Sequence, residues 1–220
     1  NIITDVHVTP GNVHDSVPYL DRIDRQVEQF GFEVEGVALD AGYLTNPICH
    51  GLQERKIIGV IAHRRYKPTH GLFPKWKFKY DSINDVYVCP NQQELTYSTT
   101  NREGYRQYVS DPSICKQCPM LNQCTRSKNT RKVVTRHVWE DSKDWVRENR
   151  LSLYGKMLYP RRKETIERSF ADAKELHGLR YCRFRGLEKV REQCLMVAAV
   201  QNIKRIASLM WRQERRVALA

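Results

Sequence analysis

No run of apolar residues in this chain of 220 is long enough to span a bilayer, and no lipid-anchor motif accompanies its basic segments. Internal repeats and low-complexity tracts are also missing, so solenoid and disordered classes are set aside. Carboxylates are in short supply: 25 Asp plus Glu face 37 Lys plus Arg, a formal net charge of +12. An extended polyanion is therefore the first partner to consider, and nucleic acid fits best. No signal peptide stands ahead of the seven cysteines in these residues, and their number is odd. Four of them fall in one middle stretch, which predicts a reduced, cytoplasmic protein and a metal in preference to disulfides. Initiator Met is absent too. The chain opens at Asn1 in strand-like sequence and is expected to be part of something longer.

What is present supports a real core, since 40% of the residues are hydrophobic. "NIITDVHVTP" alternates apolar and polar positions until Pro10-Gly11 and predicts a strand. "HDSVPYLDRIDRQVEQFG" predicts an amphipathic helix with Asp15 or Ser16 as N-cap, Pro18 in its first turn, and Gly31 as stop. "EVEGVALDAGY" runs almost continuously apolar into Asp40, as expected of a strand buried on both faces. A short helix through about Arg55 follows, capped by Thr45 or Asn46, and then the buried strand "KIIGVIAHRR". The order βαβαβ implies an α/β sheet with helices packed on it.

Between about Tyr66 and Arg150 the composition shifts to aromatics, clustered cysteines and hairpin-like patches such as "WKFKYDSINDVYVCP". Two helices follow: one to His177, broken near Tyr159-Pro160, and one from Leu187 to Arg212 that is apolar nearly all round and predicted to be buried against the sheet.

In "YPRRKETIERSFADAKELHG" Glu167 stands on a helix among Arg162, Lys163, Arg168 and Lys174. A plain alternative for it is an i,i+4 pair with Lys163, worth about 0.3 kcal/mol. For Asp40, at a strand end, the plain alternative is a turn cap. If the helix packs over the carboxyl end of the sheet, the two carboxylates form a plausible site for Mg²⁺, which takes one or two of them and completes its shell with water and phosphate oxygens. Two such ions about 4 Å apart suit phosphoryl transfer.

Three stretches, "GVALDAGY", "RRKETIERSFADAKELHGLRYCRFRGLEKV" and "AAVQNIKRIA", resemble the DDE transposases of bacterial insertion sequences, in the branch with a tyrosine-arginine-glutamate-lysine signature. The resemblance covers essentially the whole chain, and the helical motif with its continuation is its most specific part. It implies an RNase H-like catalytic domain in which three acidic residues hold two metal ions that cut and join DNA. Asp40 matches the second aspartate, Glu167 the glutamate and Lys174 the lysine. Arg162 is one place too far from Glu167, Lys163 occupies the arginine position, and Tyr159 is likewise shifted by one. Asp5 and Asp15 lack the position of the first aspartate, which is expected upstream of Asn1.

The fold class expected is therefore α/β: an RNase H-like mixed sheet flanked by helices, built from 1–65 and 151–220 without its first strands, and interrupted by an insertion at 66–150. The expected activity is Mg²⁺- or Mn²⁺-dependent strand cleavage and transfer at element ends, with DNA as partner, a homo-oligomer when active, close to the bacterial nucleoid. The isolated chain is expected to be inactive. A zinc-stabilised DNA-binding protein or transposase remnant, and a nuclease of the same fold, are the alternatives.

"SICKQCPMLNQC" sets Cys115, Cys118 and Cys124 in a C-x2-C-x5-C array, and "YVCP" adds Cys89. Four thiolates from two short loops suit a closed tetrahedral Zn²⁺ site, with His137 as a substitute ligand and buried free thiols as the alternative. Cys49, Cys182 and Cys194 read as packing residues. "HRRYKPTHGLFPKWKFKY" mixes cations with rings, a pattern that tracks phosphates and stacks on an unpaired base, or else a solvated basic hairpin face. Arg161, Arg162, Lys163, Arg168 and Lys174 are expected to bind phosphates, and Arg180, Arg183 and Arg185 extend that track. Trp139 and Trp145 read as cover residues before DNA wedges.

Overall fold

A computed structural model describes residues 2–63 and 71–218, and the side chains within them up to residue 215. The chain divides into two compact units, Asn1–His63 with Trp145–Ala220, and Arg64–Asp144.

In the first unit the chain begins without secondary structure. The strand predicted for residues 2–8 is not formed. Alternation alone makes no strand without a neighbouring backbone to pair with, and here side chains take that part. Ile3 donates its N–H to Asn202 Oδ1 at 2.8 Å, and Asn202 Nδ2 returns a bond to the Ile3 carbonyl at 2.8 Å. Asp5 is clamped by Arg22, whose Nε lies 2.7 Å from Oδ2.

Helix α1 (Tyr19–Phe30) starts later than predicted, with Pro18 at its N-cap and no side-chain cap bond. Gly31, at φ +65°, closes it by donating to the Val27 carbonyl. Strand β1 (Gly36–Leu39) is half-buried along its length, not buried on both faces as expected. After a 3₁₀ turn at Ala41–Tyr43 comes α2 (Asn46–Glu54), where Thr45 accepts the Ile48 N–H and proline stands in the first turn as read from the sequence.

Strand β2 (Ile58–Ile61) runs parallel to β1, Gly36 opposite Ile58 and Leu39 opposite Ile61. One βαβ unit thus replaces the longer alternation expected. Ile23, Ile48, Cys49, Leu52, Ile57, Ile61 and Val146 form its core. Gly59 permits the close approach, since a Cβ there would lie 2.9 Å from Leu52 Cδ1 and 3.3 Å from Val146 Cγ2.

The second unit is a five-stranded antiparallel meander: β3 (Lys79–Asp81), β4 (Val86–Val88), β5 (Glu94–Thr100), β6 (Tyr105–Ser110) and β7 (Val133–His137), paired in chain order. Between β6 and β7 lie the short helices α3 (Pro112–Lys116) and α4 (Leu121–Cys124). Phe78, Tyr87, Leu95, Tyr108 and Val134 make its core. Arg136 lies 4.1 Å from the Tyr80 ring centroid and pairs with Asp141 and Asp144, so its buried charge is compensated. The chain is thus mixed α/β as expected, and the hairpin strands expected between 66 and 150 form a sheet of their own among the described residues.

Helix α5 (Glu140–Leu151) starts about ten residues earlier than predicted. It is followed by α6 (Leu153–Leu158), a turn at Tyr159-Pro160 where the break was expected, a π-helical turn at Lys163–Glu167, α7 (Arg168–Glu175) and the long α8 (Leu187–Ala218). Burial of α8 was expected along its whole length, but among its described side chains only Val197 and Ala198 are buried hydrophobics, while Ile203 is 65% and Met210 58% exposed. A two-stranded sheet cannot cover an apolar surface that runs round a helix.

Truncating Leu52, fully buried between α2 and β2, to Ala is expected to cost about 2–5 kcal/mol in chemical denaturation. Burial would raise the Asp5 pKa, but the Arg22 hydrogen bond and charge outweigh it and hold it below the ordinary value of 3.8. The pair's contribution to stability is therefore complete above that value and is lost as pH falls through the lowered native one. Between pH 7 and pH 3, denaturation of Asp5→Asn should show a smaller loss of stability than the parent chain.

Candidate active site

Asp40 leaves the carboxyl end of β1, the edge of a parallel sheet where α/β proteins bind ligands. Its backbone is extended and its Oδ1 accepts the Gly42 N–H at 2.7 Å, capping the 3₁₀ turn. Glycine at 42 leaves room: a Cβ would come 3.0 Å from that oxygen and 3.6 Å from His14 Cε1. His14 is thus a neighbour of the strand end that sequence reasoning missed; its Nδ1 lies 2.7 Å from Ser16 Oγ. The "HDS" triplet ahead of α1 was its only signal, and it was read as a cap.

Tyr43 ends the same turn. Burial pushes its phenol pKa up, Asp15 and Asp40 push the same way, and Arg162 opposes them. All three charges therefore lie within electrostatic reach of one hydroxyl. Asp15, without a family position in the sequence, joins Asp40 there.

Arg162 immediately precedes the π turn. Its guanidinium carbon lies 5.5 Å from the Tyr159 ring centroid, its Nη1 donates to Tyr159 Oη at 3.2 Å, and its buried Nε has no hydrogen-bond partner among the described atoms. The π turn has a local cause. Thr165 Oγ1 donates to the Arg161 carbonyl at 2.8 Å, taking an acceptor that an α-helical N–H would otherwise use. Glu167 ends this turn, exposed. Across an i→i+5 turn the residue stacked beneath Glu167 is Arg162, not Lys163. Consistently, the Lys163–Glu167 pair considered from the sequence is not formed among the described residues.

Lys163 and Lys174 are exposed, and Arg168 is held by Asp172 at 3.1 Å while its side chain stays 70% exposed. Arg183 and Arg185 are exposed in the loop before α8, where the Arg183 N–H donates to Gln193 Oε1 at 3.1 Å. Arg180 is engaged by Glu175. Trp145 packs against the first unit's core, and Trp139 lies 5.3 Å from the His137 ring. Residues 64–70 of the basic-aromatic stretch lie outside the described residues.

In the second unit, Cys89, Cys115, Cys118 and Cys124 line one small cavity of about 30 Å³, together with Phe78, Leu95 and Lys132. Burial raises the Cys124 thiol pKa; Lys132 opposes this, while Cys115, Cys89 and Cys118 push it further up, so the four sulfurs are electrostatic neighbours. Gln92, at φ +55°, turns the chain after Cys89, and the Gln93 N–H points to Cys89 Sγ at 3.4 Å. His137 belongs elsewhere: its Nδ1 accepts the Trp139 N–H at 3.0 Å and its Nε2 lies 3.1 Å from the Glu103 carbonyl. Cys49 is buried as expected and Cys194 half-buried. Cys182, read as a packing residue, is exposed in a loop that has no core to enter. Among the described residues, no group of three or more His, Cys, Asp or Glu side chains already has metal-holding geometry. No helix among them is long and apolar enough to cross a membrane.

A family model described as a transposase DDE domain matches residues 88–207. The matched stretch includes the four clustered cysteines, Glu167 and Lys174, and leaves out Asp40. No curated protein and no solved structure matches the chain. The mixed α/β architecture is compatible with an RNase H-like domain, and the match spans more than half of the 220 residues. By that match the chain belongs to the transposase DDE domain family, whose members are enzymes of DNA transposition.

Proposed function

We propose that this chain carries two of the three acids of a DDE strand-transfer site, Asp40 and Glu167, and that they hold Mg²⁺ or Mn²⁺ at the ends of an insertion sequence. The observation that carries this reading is that the Tyr43 hydroxyl, one turn from Asp40, lies within electrostatic reach of Arg162, one π turn from Glu167. Asp5 is not the third acid in this reading, because Arg22 already neutralises it.

Divalent ions bound there would activate the attacking hydroxyl and stabilise the leaving oxygen. The chain's own residues do the rest. Asp40 arrives pre-oriented by the Gly42 N–H. Glu167 reaches solvent free of a neutralising partner among the described residues. Arg162, half-buried against Tyr159, is a better fit for the arginine of the signature than Lys163, because the π turn absorbs the one-residue excess between Arg162 and Glu167. Lys163, Arg168, Lys174, Arg183 and Arg185 supply phosphate contacts.

The reading includes a structural Zn²⁺ on Cys89, Cys115, Cys118 and Cys124. Four cysteines lining one cavity are a donor set for a closed tetrahedral site. The N–H directed at Cys89 Sγ would stabilise thiolate there, and side-chain rotations would bring the sulfurs to the ion. Such a clip would tie the β4–β5 turn to α3 and α4.

In assays of the transposase, Asp40→Asn and Glu167→Gln should each abolish metal-dependent strand cleavage while DNA binding is kept; cleavage that survives either change contradicts the assignment. Elemental analysis of protein purified without chelator should find about one zinc per chain, falling in Cys115→Ser and Cys118→Ser. Intact thiols with no zinc would contradict the second part.

A further inference from the structure

In the motif "KWKFK" at residues 75–79, Phe78 lines the cysteine cavity, but Lys75, Trp76, Lys77 and Lys79 have no part in either site above. It forms a 3₁₀ turn, Lys75–Lys77, leading into β3. The turn is anchored from beneath: Phe78 is 3% exposed in the core of the second unit, and the Phe73 N–H donates to the Gln123 carbonyl at 2.6 Å. Trp76 points the other way and is 71% exposed, against 53% for Trp211 and 37% for Trp139. A ring so large left in water forgoes the stabilisation that burial would give it. Packing therefore does not explain a tryptophan here.

Its surroundings do suggest a partner. Lys77 Nζ lies 4.8 Å from the Trp76 ring centroid, and Lys75 and Lys79 are exposed on either side. Glu140 takes Lys75 at 3.3 Å, while Lys77 lies against the ring. A firmly anchored ring with cations beside it matches the chemistry of an unpaired nucleobase on its phosphate backbone.

We propose that Trp76 is a stacking platform for an unpaired base of single-stranded nucleic acid, with Lys77 and Lys79 holding the flanking phosphates. This site shares no residue with the carboxylate site, and its test needs no strand cleavage, so either can fail without the other. A globular protein partner would need the ring but not the base.

The experiment compares the intact chain's affinity for fluorescein-labelled oligothymidylate with that for an abasic strand of equal length. Stacking should give a preference for the base-bearing strand of about 5- to 150-fold. Trp76→Ala should abolish that preference and leave abasic binding unchanged, whereas Trp76→Phe should retain most of it. Lys77→Ala should weaken both strands alike and reduce the salt slope by about 1. Because Trp76 is exposed, its replacement leaves the core intact, and circular dichroism checks this. No preference in the parent chain, or a preference that survives Trp76→Ala, overturns the proposal; the second result would assign the ring to another partner.

Discussion

The parallel pairing of Gly36–Leu39 with Ile58–Ile61 is the constraint on which the first unit depends. Parallel strands cannot be joined by a tight turn, so the chain must leave β1, cross over through α2 and return. That crossover buries Leu52 and Cys49 completely and Ile48 almost so. It also fixes the place where β1 stops, and Asp40 is the residue that stops it. Its carboxylate is turned back onto the Gly42 N–H, so the sheet's geometry and the acid's orientation have one cause. The small sheet has a second consequence. Two strands offer little apolar area, and the later helices keep much of their hydrophobic surface exposed, as at Phe170, Ile203 and Met210.

The second unit solves its own problem differently. Its strands are short and antiparallel, and tyrosines fill much of its core. Tyr80 and Tyr108 donate to Asp85, which Arg106 also engages, so the aromatic hydroxyls are satisfied around one carboxylate. Its side chains hold the net positive charge in definite places: Arg136 inward against acids and rings, Lys75, Lys77 and Lys79 outward. The proposed zinc would act where this sheet meets its shortest helices, α3 and α4, of five and four residues. Helices of that length have little stability of their own.

Much of this was legible in the residues because the signals were local. Thr45 followed by Asn46-Pro47 marked α2, the Ile-Val run marked β2, and Tyr159-Pro160 marked a helix break; each depends on neighbours within a turn. What failed depended on distant partners. Residues 2–8 alternate like a strand, yet their backbone is met by Asn202, nearly two hundred positions away. Leu187 to Ile206 reads as a buried helix, but burial requires a surface the two-stranded sheet does not provide. At the site, Asp40 and Glu167 stood out as residue types, while His14 and the π turn did not. A single extra residue between Arg162 and Glu167 looks like a poor motif match in the sequence, and nothing local announces the π turn at Lys163–Glu167 that follows Arg162.

The account rests on Asp40 and Glu167 serving one metal site. Mn²⁺ affinity, measured on the intact chain as a cycle of the parent, Asp40→Asn, Glu167→Gln and the double variant, tests that claim most directly. Each single change is predicted to weaken binding, and the double variant to lose less than the sum, with a coupling of about 0.5–3 kcal/mol. Unchanged affinity in either single variant, or strictly additive losses, would contradict it.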